Sequence, residues 1–361
     1  MQAIALAASV AFSPSRISSA RLRTSAPSCS AADDRTTLGT LDIPALGVGM
    51  LNFPLNVESD ETTAAAISAL SQAGCNFIDT AEAYPPFKWG CSERLTADCA
   101  ARCDTPPVVA TKFAAVPWRQ DAASVVKAAR ASAERLGVET IPLYQIHFPH
   151  LQLLGEKQDA AFWDGLAEVY HSGLAANVGV SNYGVEMVTA AHAALAARGV
   201  PLASNQIQYS LLFRRTSQPV VDACKELDVK VLSYFPLANG LLAGKYSAES
   251  LPSGPKRLTM AKYVTGGVED RGIKYPEGGC EPLLQTIREI AAVRGKTVAQ
   301  VSLNWIVCQG VVPIPGARSS QQAIDNLGAL GWRLSDEEVQ RLNAVADSLG
   351  FEFSNGGFVL K

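Results

Sequence analysis

Several common signatures are missing from this chain of 361 residues. Its eight cysteines form no Cys-x-x-Cys pair and only four histidines accompany them, so no zinc site is expected. Cys99 and Cys103 share a helical spacing, which reads as two small packed side chains, and a reducing compartment fits. No apolar run approaches the ~18 residues of a membrane-spanning helix. No basic block is long enough to track a phosphate backbone, so neither membrane nor nucleic acid is an expected partner. No Gly-x-Gly-x-x-Gly follows the first apolar strand, which counts against an open dinucleotide-binding sheet. Acidic residues are absent before Asp33. What the first 32 residues hold instead is Arg16, Arg21, Arg23, eight serines and many alanines, the composition of an organelle transit peptide. The apolar stretch from Ala3 to Phe12 is broken by Ser9 and is too short for a secretory signal. We read 1–32 as a leader, directed to a plastid rather than a mitochondrion by its serines, and 33–361 as one folded domain.

The remainder is an ordinary soluble composition: 48% hydrophobic, 18% charged, net charge -3. Short apolar runs alternate with amphipathic helical patterns. Strands are expected at 46–50, 75–79, 108–111, 143–146, 176–180, 203–207, 229–234 and 311–314. Helices between them stop at Gly74, Gly137, Gly173, Gly199 and Gly295, the usual left-handed terminators. Eight such repeats in roughly 300 residues point to an α/β fold closed as a (β/α)8 TIM barrel. One connection is out of proportion. The Gly- and Pro-rich segment 245–282 far exceeds the ~4–6 residues of an ordinary loop and reads as a lid.

A barrel of this kind carries its chemistry at the C-terminal ends of its strands. Four polar residues close or follow apolar runs there: Asp79, Tyr84, Lys112 and His147. Together they form a coherent acid catalyst. A phenol of reference pKa ~10 is a weak acid at neutral pH, and a nearby Lys112 ammonium is expected to lower that pKa. Asp79 would pair with Lys112, and a neutral His147 would orient a carbonyl oxygen. Lys112 alone also permits a Schiff-base aldolase. Phe87, Trp89, Phe113, Trp118 and Phe148 follow the same strand ends, so an aromatic, apolar small-molecule pocket is expected.

In this order, Phe77-Ile-Asp-Thr-Ala-Glu-Ala-Tyr84, Ala110-Thr-Lys-Phe113 and Tyr144-Gln-Ile-His147 resemble the aldo-keto reductase superfamily, with further matches across most of residues 41–345. Gly179-Val-Ser-Asn-Tyr183, Asn205-Gln-Ile-Gln208, Ser233-Tyr-Phe-Pro-Leu237 and Ile314-Pro-Gly-Ala-Arg-Ser319 resemble its cofactor segments. The resemblance implies NADPH-dependent reduction of aldehydes and ketones. It assigns Ser181, Asn182 and Gln206 to the nicotinamide carboxamide, Tyr234 to the ring, and Phe235 and Leu237 to the same binding segment. Arg318 would meet the 2′-phosphate, with Gln322 and Asn326 at the adenine. A guanidinium just before a helix N-terminus independently suits a phosphate. The plant and algal plastid members, a pyridoxal reductase-like group, are the most similar. Two departures are visible: Pro85 follows Tyr84 where glycine is common, and Phe235 replaces a serine or threonine. The competing implication of the fold is a cofactor-bound regulatory subunit without significant turnover.

Overall fold

The computed structural model describes residues 33–52, 60–85, 88–149, 157–254, 256–270, 273–317 and 319–353. The expected leader at 1–32, Phe87 and Arg318 lie outside them. Eight parallel strands form one sheet in chain order: β1 (Val48–Gly49), β2 (Phe77–Asp79), β3 (Val108–Phe113), β4 (Leu143–Ile146), β5 (Val178–Ser181), β6 (Leu202–Gln208), β7 (Lys230–Tyr234) and β8 (Val312–Pro313). The ring closes between its ends by Gly47 N–H to Pro313 O (3.0 Å) and Gly49 N–H to Pro315 O (3.1 Å). Glycine is required at this seam. A Cβ on Gly47 would lie 2.5 Å from the Phe77 ring, and one on Gly49 would lie 3.0 Å from the Ile314 carbonyl oxygen. The expected (β/α)8 barrel is the fold.

The helices follow the expected order: α1 (Asp60–Gln72), α2 (Cys91–Ala100), α3 (Ala122–Leu136), α4 (Lys157–His171), α5 (Val185–Ala196) and α6 (Arg214–Glu226). Sequence chemistry sets their ends. Asp121 caps α3 by accepting from Ser124 N–H at 2.8 Å, and Gly137 ends it at φ 69°. The period-two pattern of the strands separates two layers. Phe77, Ala110, Leu143, Leu232 and Val312 cluster inside the barrel, whereas Tyr144, Ile146, Val178 and Val180 pack with helix residues such as Val125 and Leu166.

Two features depart from the sequence reading. A hairpin of Arg35–Leu38 and Leu41–Pro44 precedes the barrel, turning at Gly39. Its Leu38 and Ile43 join the interior cluster, and Thr40 N–H donates to Asn177 Oδ1 at 2.9 Å, so the hairpin plugs the N-terminal end. The expected lid is also more than a loop. It holds α7 (Lys256–Thr265) and the strands Val268–Asp270 and Ile273–Tyr275, which pair onward with Glu352–Phe353. Met260, Tyr263 and Val264 are buried, with Tyr263 in ring contact with Tyr275 and Phe351. The chain then completes the outer layer with α8 (Glu281–Arg294), α9 (Val298–Cys308), α10 (Ser320–Leu327) and α11 (Asp336–Ser348).

Candidate active site

The four strand-end residues converge at the C-terminal mouth. Lys112 is wholly buried and donates to Asp79 Oδ2 at 2.6 Å and to the Thr80 carbonyl at 2.8 Å. The Tyr84 hydroxyl lies 3.5 Å from Lys112 Nζ and 3.5 Å from His147 Nε2. Asp79 is gripped from the far side by Gln206 Nε2 at 2.7 Å. Residues 127 positions apart thus fix the lysine's counter-charge.

Electrostatics here follow burial first. Burial pushes the His147 imidazolium well below its usual pKa and the Lys112 ammonium pushes it the same way, so His147 is neutral. Burial works against the Lys112 ammonium too, but Asp79 and the Tyr84 oxygen outweigh it and raise its pKa. For Tyr84 the expectation needs correcting. Lys112 does pull the phenol pKa down, but burial, reinforced by Asp79, is larger and the net direction is up. Tyr84 therefore holds its proton throughout the neutral range. The Schiff-base reading of Lys112 loses ground on the same observations, since an ion-paired, fully buried ammonium is a poor nucleophile.

A cavity of about 810 Å³ opens over these groups. Asp79, Tyr84 and His147 line one end, and Lys112, in contact with the Tyr84 hydroxyl, is not among the lining residues. Ser181, Asn182, Gln206 and Tyr234 form the adjoining wall as one hydrogen-bonded set. Ser181 Oγ donates to the Gln206 carbonyl (2.8 Å), Asn182 Nδ2 to the His147 carbonyl (2.9 Å), and Tyr234 OH to Asn182 Oδ1 (2.7 Å). The cavity continues past Phe235 and Leu237 to Gly316 and Gln322. Asn326 is buried on α10, four residues after Gln322, and is not among the residues lining the cavity.

Of the expected aromatic wall, Trp89, Trp118 and Phe148 line the cavity. Phe113 does not. It is buried against Phe162 of α4, at 5.2 Å between centroids, because its strand position faces the helices. Sequence reasoning missed Leu51 and Asn239, which also line the cavity, whereas Lys245 and Tyr246 there open the segment 245–282 that was read as a lid. Their signal was position: each follows the C-terminal end of β1 or β7. Asn239 and Phe235 adopt φ of 57° and 49°, left-handed backbone seldom kept without a use. Among the described residues, no cluster of His, Cys, Asp and Glu could hold a metal ion, and no helix is long and apolar enough to cross a membrane.

Known proteins share both sequence and architecture. Residues 45–347 match the Aldo/keto reductase family. The chloroplastic pyridoxal reductase of Arabidopsis thaliana is 37% identical over 326 residues, covering 86% of each chain. A Schizosaccharomyces pombe protein named aldo-keto reductase yakc [NADP(+)] is 26% identical over 86% of this chain and 91% of its own. Among solved structures, the glycerol dehydrogenase of Gluconobacter oxydans superposes with a TM-score of 0.73 at 24% identity, covering 88% of this chain and 96% of that one. An aldo/keto reductase of Klebsiella pneumoniae, solved with NADP and acetate, gives 0.67 at 24% identity, covering 87% and 95%. The chain belongs to the aldo/keto reductase family of oxidoreductases, which act on small-molecule carbonyl compounds.

Proposed function

We propose that this protein reduces aldehydes and ketones to alcohols with NADPH, Tyr84 being the proton donor. The observation that carries the reading is the Tyr84 hydroxyl held equally between Lys112 Nζ and His147 Nε2, at 3.5 Å each, on the floor of an apolar cavity. The residues fit the cofactor. A hydroxyl and two carboxamides (Ser181, Gln206 and Asn182) border one end of a long cavity whose middle is left-handed backbone at Phe235 and Asn239. This is a donor set suited to an elongated ligand that ends in an amide. Ser181, Asn182 and Gln206 would hold the carboxamide, Tyr234 the ring, Phe235 and Leu237 the central segment, and Gln322 and Asn326 the adenine. Arg318 would read the 2′-phosphate. When bound, the nicotinamide supplies the hydride.

The chain's own groups do the rest. Neutral His147 offers a ring N–H to the substrate oxygen without adding charge. Tyr84 keeps its proton until an alkoxide, a far stronger base than a phenolate, develops beside it. Lys112 then stabilises the phenolate left behind, and Asp79 keeps that lysine charged and still. Asp79 joins the charge pair, not the proton path. The complete tetrad favours turnover over a purely regulatory role.

The apolar wall of Trp89, Trp118 and Phe148 supports aromatic or lipid-derived aldehydes, and the name of the Arabidopsis relative supports pyridoxal among them. That name and the Arg- and Ser-rich residues 1–32 support a plastid location, with 33–361 as the mature domain. A panel of aldehydes assayed with NADPH tests the activity. Tyr84→Phe should cut turnover by about 10²–10⁴ while NADPH still quenches protein fluorescence. A Phe variant retaining more than about a tenth of the rate would remove Tyr84 as the acid.

A further inference from the structure

Arg119, in the loop after β3, stands behind the cavity and touches two of its supports. Its guanidinium donates to both oxygens of Glu82, Nη1 to Oε1 at 2.5 Å and Nη2 to Oε2 at 3.2 Å, and to the Ala114 carbonyl at 3.3 Å. Glu82 is 2% exposed and also accepts the Ala114 N–H at 2.7 Å. The planar fork therefore has little freedom to turn. Its central carbon lies 5.0 Å from the Trp89 ring centroid and 5.1 Å from that of Phe113. Phe113 is fixed in the core, whereas Trp89 is 39% exposed and lines the cavity. A chain of contacts thus runs from Phe113, in the layer between strands and helices, through Arg119 to Trp89 on the cavity wall. By contrast, Trp118 on the same rim is 75% exposed.

We propose that Arg119 is a positioning residue that fixes the Trp89 indole as a substrate wall, and so sets a preference for carbonyl compounds carrying a flat apolar body. The inference rests on the carbonyl reductase reading above. An indole free to change rotamer must be ordered at each binding event, at an entropic cost that a pre-set ring avoids. The guanidinium suits the task because it presents a π-compatible face and a bidentate fork at once. An ammonium keeps the charge and loses the fork. Arg135 Nη2, 3.7 Å from Glu82 Oε2, leaves that buried carboxylate a second counter-charge when Arg119 is changed.

The test compares kcat/KM with NADPH for 2-naphthaldehyde and for propanal, taking their ratio in the wild type, Arg119→Met, Trp89→Leu and the double variant. Each single change should lower the ratio by about tenfold, the double no further, and Arg119→Lys should restore part of it. An unchanged ratio in Arg119→Met, or losses that multiply in the double variant, overturns the proposal. Near-ultraviolet circular dichroism gives a readout independent of turnover. The Trp89 band, defined by its loss in Trp89→Leu, should weaken in Arg119→Met, and its full persistence overturns the proposal equally. If Arg119→Met does not fold, Arg119→Lys carries both measurements and should show a smaller shift in the same direction; no shift overturns the proposal. A wild type inactive on both aldehydes would instead sink the reductase reading, leaving the dichroism arm to judge Arg119.

Discussion

At the residue scale, His147 joins chemistry to stability. Its folded pKa lies well below the unfolded value of ~6.5, through burial and then Lys112. The unfolded chain therefore takes up a proton that the folded chain refuses. Stability from this group is complete above ~6.5 and is lost as pH falls from there toward the lower folded value. Thermal melts from about pH 7.5 to 5 should show the melting temperature falling. His147→Gln should flatten that fall, and an unchanged slope would show that His147 is not buried neutral. Arg318 makes a second residue-scale prediction. Arg318→Ala should weaken NADPH by about ten- to a hundredfold with little effect on NADH. Equal weakening in a titration would show that it does not read the phosphate. The convergence of Asp79, Tyr84, Lys112 and His147 was legible in the sequence because barrel strands expose their ends and each of the four closes or follows an apolar run. The net direction of the Tyr84 pKa was not, because it depends on how deeply Asp79, Lys112 and Tyr84 are jointly buried. Neither was the Glu82–Arg119 pair, whose members lie 37 positions apart.

Elements with a strong period and a local stop signal were legible to within a few residues. β4 fell at 143–146 as expected, and α3 began one residue after its Asp121 cap. Errors arose where local chemistry competes with tertiary packing. Proline favours a helix's first turn, yet α6 begins at Arg214 and carries Pro219 in its interior. Pro219 and Arg215 are both on the exposed side, where water can take the carbonyl that proline leaves without a donor. The hairpin before β1 escaped notice because only Leu38, Ile43 and Pro44 of its eight strand residues are buried. The segment 245–282 read as a lid because of its glycines and prolines, while Met260, Tyr263 and Tyr275 tie it to the core. We therefore expect NADPH to slow hydrogen exchange at 238–246, beside the cavity, and to leave α7 unchanged within error. Strong new protection across α7 would restore the lid for the whole segment.

At the scale of the molecule, the described chain is tied together at both ends. Asp34 accepts from Arg333 Nη2 at 2.5 Å and Nη1 at 2.6 Å, and from Gly331 N–H at 3.0 Å. Although burial pushes the Asp34 carboxyl up, these donors outweigh it and hold it below the usual carboxylate range. Its stabilising share is full above ~3.9 and lost as pH falls through the lower folded value. A chain starting at Ala32 should melt like the full chain after leader removal. One starting at Arg35 should lose about 1–3 kcal/mol, roughly 1.5–4.5 °C. Equal melting temperatures would show that the clamp contributes nothing.

The seam carries the longest consequence. Gly47 and Gly49 donate to Pro313 and Pro315, far along the chain. A polypeptide made N-terminus first therefore cannot close this ring until Pro313 and Pro315 have been added, however many of the earlier strands have paired. The mouth of the barrel is complete only once the last strand is in place, and until then two strand edges remain open to pairing with other chains.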